Sequence, residues 1–154
     1  MKQTGRRFDA AAFYDGTNSE AYRYLGAHRT RRSGKDGYVF RTWAPNAAYV
    51  SVVGDFCGWN GYAHPMEKNA DGFWECFVPS LKRYDTYKFA VTAQSGETVL
   101  KADPYAFHAD TRPEFSSKLY SSRYVWGDGA WLKQRRKYSP YDSPLNIYEC
   151  HLGS

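Results

Sequence analysis

The residues best suited to chemistry sit in the stretch Gly54-Asp-Phe-Cys-Gly-Trp-Asn60. Gly58 lets the backbone bend, and Trp59 falls at the tip of the resulting loop. A large aromatic on a loop that a sheet holds rigid is a platform for a flat ligand face. Other chemistries are poorly supplied. The carboxylates Asp55, Glu67, Asp71, Glu75, Asp85 and Glu97 are scattered over turns and strands, and turn formation accounts for Asp55, Asp71 and Asp85. His28, His64, His108 and His151 lack metal-ligand spacing, so no metal site is expected. No nucleophile-elbow sequence accompanies the serines. The reading therefore assigns no catalytic residue and no cofactor.

The elements that must position Trp59 are strands. Gly37 to Ala44 is rich in β-branched and aromatic residues and ends at Pro45, which cannot donate to a sheet ladder. Its apolar residues fall in both phases, so periodicity does not choose an inner face. Tyr49 to Val53 is a second run, closed by Gly54-Asp55. Phe73 to Val78 is a third; Trp74 shares a phase with Cys76 and Val78 and reads as core, and Trp43 is also a packing candidate. In Asp85 to Thr92, Tyr87, Phe89 and Val91 point one way and Thr86, Lys88 and Ala90 the other. Gln94-Ser-Gly96 predicts a hairpin turn into Thr98–Leu100. Short strands at this spacing predict an all-β, immunoglobulin-like antiparallel sandwich of about seven strands.

Outside the strands the pattern changes. Thr17 and Asn18 are N-cap candidates for a short helix over Glu20–Leu25, which Gly26 can end. Residues 1–34 thus read as a short helical lead-in and 35–110 as the sandwich. Residues 111–143 show no clear period and read as a C-terminal connector, with a short helix from Asp128 and packing through Tyr120, Tyr124, Trp126 and Trp131. Ile147–Leu152 predicts one more strand, within 144–154.

Composition narrows the partners. An aromatic content of 18% suits both a β-rich core and a stacking surface. The dense basic run Arg29-Thr-Arg-Arg-Ser-Gly-Lys35 has no Lys/Arg helix or zinc-finger spacing behind it, so it reads as a solvated loop before the first strand. No nucleic-acid partner is expected. No apolar run follows Met1–Arg7, so the reading expects no signal peptide, no membrane partner and a cytoplasmic setting. Cys57, Cys76 and Cys150 are an odd number at wide spacing, which argues against a disulfide framework.

Several blocks of sequence resemble known families. Trp43-Ala-Pro-Asn-Ala47 followed by Val53-Gly-Asp-Phe-Cys-Gly-Trp59 resembles the hallmark of the family 48 carbohydrate-binding module, with Cys57 where asparagine is usual. Such modules precede the barrel of family 13 glycoside hydrolases acting on α-glucans and also occur in a subunit of AMP-activated protein kinase. Gly16-Thr-Asn18 with Ala21-Tyr22 and Leu25-Gly-Ala-His28 resembles the lead-in of branching enzymes, and Lys101–Phe107 and Arg112-Pro113 also resemble that group. Pro144 to Ser154, with Ile147-Tyr-Glu149 and His151-Leu-Gly-Ser154, resembles the first strand of their catalytic barrel.

The resemblance implies the N-terminal region of an α-1,4-glucan branching enzyme. Such a parent cleaves α-1,4-glucan and transfers the chain to a 6-hydroxyl in glycogen biosynthesis. Retaining chemistry of this kind needs two carboxyl groups roughly 5–5.5 Å apart, and in the family these lie on later barrel strands, so none is carried over. The implied partners are α-glucan (glycogen or malto-oligosaccharides) and the catalytic barrel of the same parent chain. The implied carbohydrate-binding residues are Trp59, which stacks on glucose, and Lys88 within Tyr87-Lys-Phe89, which donates to hydroxyls. Asn60 is placed to donate or accept in the same patch. Sensor-type modules carry a second tryptophan before their Asp-Pro; here Leu100 stands in that region. Three roles stay open for Trp59, a platform, a wedge at the module–barrel interface or a partly buried loop anchor. Two other functions stay open for the chain, a stand-alone glycogen-targeting module and a spacer without sugar affinity.

Overall fold

The computed structural model describes residues 8–142 and 144–153. The chain divides into two compact units, one ending at Ser121 and one beginning at Ser122.

The first unit is an antiparallel β-sandwich. A helix α1 (Ala10–Tyr14), capped by Asp9, precedes a 3-10 turn at Ala21–Arg23. The strands are β1 (Gly26–Arg32), β2 (Lys35–Trp43), β3 (Tyr49–Gly54), β4 (Glu67–Lys68), β5 (Phe73–Pro79), β6 (Thr86–Thr92), β7 (Thr98–Lys101) and β8 (Ser117–Lys118). One sheet has the order β1-β2-β5-β4. The other has the order β3-β6-β7, with β8 also paired to β6. The expected all-β immunoglobulin-like sandwich is the observed architecture.

The core lies where alternate residues of the two sheets meet. Tyr38 and Phe40 of β2 and Trp74 and Val78 of β5 face Val50 and Val52 of β3 and Tyr87 and Phe89 of β6. Burying each such side chain contributes on the order of 2 kcal/mol. The mixed phase of β2 has its cause on the other face of the same sheet. There Phe73 is buried under Phe8, Phe13 and Tyr24, so the lead-in covers that face. Trp43, paired with Phe73 across the ladder, meets Phe13 edge-on, and its Nε1 donates to Tyr14 Oη at 3.0 Å.

Two expectations about the lead-in are corrected. The helix over Glu20–Leu25 is only the 3-10 turn, in which Asn18 Oδ1 accepts from the Glu20 amide. Gly26, at φ 92, already begins β1, so the segment is cut off by the sheet. The basic run is not a loop. Arg29 to Arg32 belong to β1, and Ser33-Gly34, at φ 48 and 76, form a tight turn into β2. An edge strand tolerates such charge, which discourages pairing with other chains.

Glu75 of β5 gathers this charge. It accepts from Arg32 at 2.6 Å and from Arg41, whose guanidinium also lies 4.4 Å from the Tyr24 ring centroid. Burial pushes the Glu75 carboxyl up, but the hydrogen bonds and charges of Arg32 and Arg41 outweigh it and hold the carboxyl below its ordinary value. The folded chain therefore binds this proton more weakly than the unfolded chain. The stability it supplies is full above the unfolded value and is lost as pH falls through the folded one. Glu75→Gln is expected to cost roughly 1 kcal/mol near neutral pH, since the group is partly exposed. Denaturant unfolding should show the gap between parent and variant closing as pH falls through the folded carboxyl's range; a gap that persists once the carboxyl is protonated contradicts this account.

The sandwich extends past residue 110, the boundary read from the sequence. Ser117 pairs with Tyr87, and Leu119 is fully buried in the core. Tyr120 packs with Tyr84 and His108 in the first unit. In the second unit, α2 (Gly129–Arg135) follows Asp128. Tyr124 and Trp126 meet edge-on at 5.0 Å and are both exposed, and Trp131 lies against Arg135. The strand expected over Ile147–Leu152 is absent; these residues are irregular and exposed. An extended run becomes a strand only with a partner for its backbone groups, and none pairs with it among the described residues.

Candidate functional site

The loop that carries Trp59 leaves β3 where two backbones nearly touch. A Cβ on Gly54 would lie 2.1 Å from the Thr86 carbonyl oxygen, so only glycine allows β3 and β6 to approach so closely there. A 3-10 turn over Asp55–Cys57 follows, and Gly58 and Trp59 both take left-handed φ, at 58 and 60. That conformation is unfavourable for tryptophan and persists because its surroundings fix it. The Trp59 amide donates to Gly54 O at 3.0 Å, and its indole Nε1 donates to Asp55 Oδ1 at 2.9 Å. The other oxygen of Asp55 accepts from the Thr86 hydroxyl of β6. The polar edge of the indole is thus spent within the protein, while the side chain remains 37% exposed.

Lys88 of β6 lies on the outer face of its sheet, opposite Tyr87 and Phe89, as strand alternation predicts. It is nevertheless only 7% exposed. Its Nζ sits 5.7 Å from the Trp59 ring centroid and 3.3 Å from that of Phe115. No oxygen among the described residues accepts from this ammonium; its neighbours are the two rings. Rings attract a cation but give its N–H donors no oxygen to bond.

Phe115 was not among the residues singled out from the sequence. It is 61% exposed, in a loop braced at both ends. The Asp110 amide donates to Ser116 O at 2.8 Å, and Lys118 pairs with the Asp110 carboxylate at 2.8 Å. Below the loop, Ser117 Oγ accepts from the Asp103 amide at 2.8 Å, and Tyr87 Oη donates to Asp103 Oδ2 at 2.6 Å. Burial pushes the Asp103 carboxyl up, against the Tyr87 hydroxyl and the Tyr105 amide, which hold it down. Burial, reinforced by the Asp103 charge, pushes the Tyr87 hydroxyl up as well. This buried network ties β8 to β6 and so fixes where Phe115 stands. The sequence signal was faint: one phenylalanine in a polar, proline-containing stretch.

Asn60 stands beside Trp59, but its Oδ1 accepts from the Tyr62 amide at 2.9 Å and serves the turn. Leu100 pairs across the ladder with Ala90, on the face that carries Lys88, and is half-exposed. The structure therefore brings Trp59 and Lys88 together, keeps Asn60 adjacent, and adds Phe115. Among the described residues no cluster of His, Cys, Asp or Glu could hold a metal ion.

An aromatic face beside an unpaired donor suits a ligand with apolar faces and hydroxyls. Residues 24–106, more than half of the chain, match carbohydrate-binding module 48 (Isoamylase N-terminal domain). The chain belongs to this family. The chain is 43% identical over 148 residues to the 1,4-alpha-glucan branching enzyme GlgB of Oceanobacillus iheyensis, covering 95% of this chain and 23% of that protein. The GlgB of Desulfitobacterium hafniense is 46% identical over 149 residues, covering 96% and 23%. The chain thus spans about a quarter of the length of the curated relatives it matches. Among solved structures, the maltotriose complex of PulA from Klebsiella pneumoniae is similar, with a TM-score of 0.51 at 31% identity over 63% of this chain and 11% of that one. Pullulanase from Bacillus acidopullulyticus gives 0.51 at 25% identity, over 63% and 12%. No helix among the described residues is long and apolar enough to cross a membrane.

Proposed function

We propose that this chain is the N-terminal glucan-binding region of a 1,4-alpha-glucan branching enzyme, and that Trp59 and Lys88 hold the glucan. One observation carries the site: a lysine that is only 7% exposed, has no acceptor among the described residues, and lies 5.7 Å from the centroid of the exposed Trp59 ring. A glucose unit has an apolar face to lie on the indole and hydroxyl oxygens to accept from Nζ. Asn60 borders the patch and contributes through its amide nitrogen. The catalytic barrel of the same parent chain is the second partner. The identity to two branching enzymes of about four times this length supports that assignment. The parent's work, cleaving α-1,4-glucan and re-joining the chain at a 6-hydroxyl, belongs to that barrel. Holding glucan on a tethered module raises its local concentration there, so even weak binding serves the reaction. Three free cysteines suit a reducing cytoplasm.

Calorimetric titration with maltoheptaose tests the site. The parent chain is expected to bind, and Trp59→Ala to bind about tenfold more weakly or worse, through loss of a large stacking surface. Equal affinities, or no heat with the parent, would overturn the assignment.

A further inference from the structure

We propose that Phe115 is the second stacking platform of the sugar site, standing in for the aromatic that Leu100 does not supply. This rests on the glucan-binding reading of Trp59 and Lys88. The argument begins with the ammonium. A nitrogen 3.3 Å from the centroid of a six-membered ring must lie over its face, since the ring atoms themselves block an in-plane approach that close. One face of Phe115 is therefore held by Lys88. With 61% of the residue exposed, the other face is open to solvent. An exposed phenylalanine on a loop usually samples several rotamers, and ordering it on binding costs free energy. Here the ordering precedes binding. Lys88 holds the ring from below, while the Asp110–Lys118 ion pair and the bond between the Asp103 amide and Ser117 Oγ hold the loop.

The arrangement also sets what the site reads. One ammonium lies over Phe115 at 3.3 Å and within 5.7 Å of the Trp59 ring centroid, so the two rings are neighbours on one patch. A ligand that uses both rings must span the patch and offer each of them an apolar face. Consecutive glucose units of an α-glucan chain do so, and a single glucose does not. The platform comes from the β7–β8 connection, outside the residues that match the family.

The test is calorimetric titration of the 154-residue chain with maltoheptaose, with melting temperatures taken alongside. Phe115→Ala and Phe115→Leu are expected to weaken binding roughly three- to tenfold, because neither keeps a flat face. Phe115→Tyr keeps the face and should bind within about twofold of the parent. Melting temperatures should hold in all three, as the ring is mostly exposed. Parent-like binding by Phe115→Leu would show that bulk suffices and overturn the platform. Unchanged or tighter binding by Phe115→Ala, with Trp59→Ala still weakened, would make Phe115 a cover over Lys88 and overturn this inference alone. Absence of binding by the parent chain would overturn both readings.

Discussion

Lys88→Met is expected to bind maltoheptaose at least about tenfold more weakly than the parent chain and to melt at a higher temperature. The two effects have one cause. The ammonium is only 7% exposed and has no acceptor among the described residues, so the ligand-free fold bears its desolvation. Methionine matches the length of the lysine stem and can lie between the same two rings without a charge. Removing a buried charge that lacks an ionic partner should stabilise the fold by on the order of 1 kcal/mol, or roughly 3–5 °C for a domain of this size. The ligand then loses a charged donor, a bond that contributes about 1.5–3 kcal/mol. Calorimetry and thermal melting of the same preparation check both halves. A variant that melts lower would mean that cation–π attraction to Trp59 and Phe115 already outweighs the desolvation. One that binds as the parent does would remove Lys88 from the site.

Gly54→Ala is expected to destabilise the chain by about 3 kcal/mol or more, the upper range for forced overpacking. The new methyl carbon would meet the Thr86 carbonyl oxygen at 2.1 Å and the Phe56 ring at 2.5 Å. Backbone cannot rotate aside as a side chain can, so β3 and β6 must separate at the point where the Trp59 loop departs. Two neighbouring glycines calibrate the result. A Cβ at Gly58 meets nothing within 4 Å, and its cost is only the left-handed φ, about 1 kcal/mol. A Cβ at Gly61 meets only Ser51 Oγ, at 3.9 Å, so Gly61→Ala should be nearly neutral. Denaturant midpoints for the three variants test the order. A Gly54→Ala cost no larger than that of Gly58→Ala would show that the close approach does not govern this corner.

The parts legible in the sequence share a local cause. β5, β6 and the hairpin into β7 follow from alternation, β-branched residues and turn chemistry within a few positions. The Trp59 loop was legible for the same reason, since Gly54, Asp55 and Gly58 act on their immediate neighbours. Strand β1 was not. Its Arg-rich text carries no apolar alternation, and what settles it is its ladder with β2 and the pairing of Arg32 with Glu75, far away in the chain. The double phase of β2 was visible but unreadable until the lead-in was seen to cover Phe73. Phe115 escaped notice because nothing in its own segment marks it; its significance lies in contact with Lys88.

By itself the sequence determined a β-sandwich, a tryptophan at the tip of a glycine-rich loop, and Lys88 on the solvent side of its strand. These depend on backbone sterics and the two-residue repeat, which act over a few residues. Only the tertiary structure decided that Lys88 is nearly buried, that it lacks an acceptor among the described residues, and that a ring from the β7–β8 connection completes its surroundings. Desolvation and missing partners are properties of everything packed around a group, and no local stretch of sequence contains them.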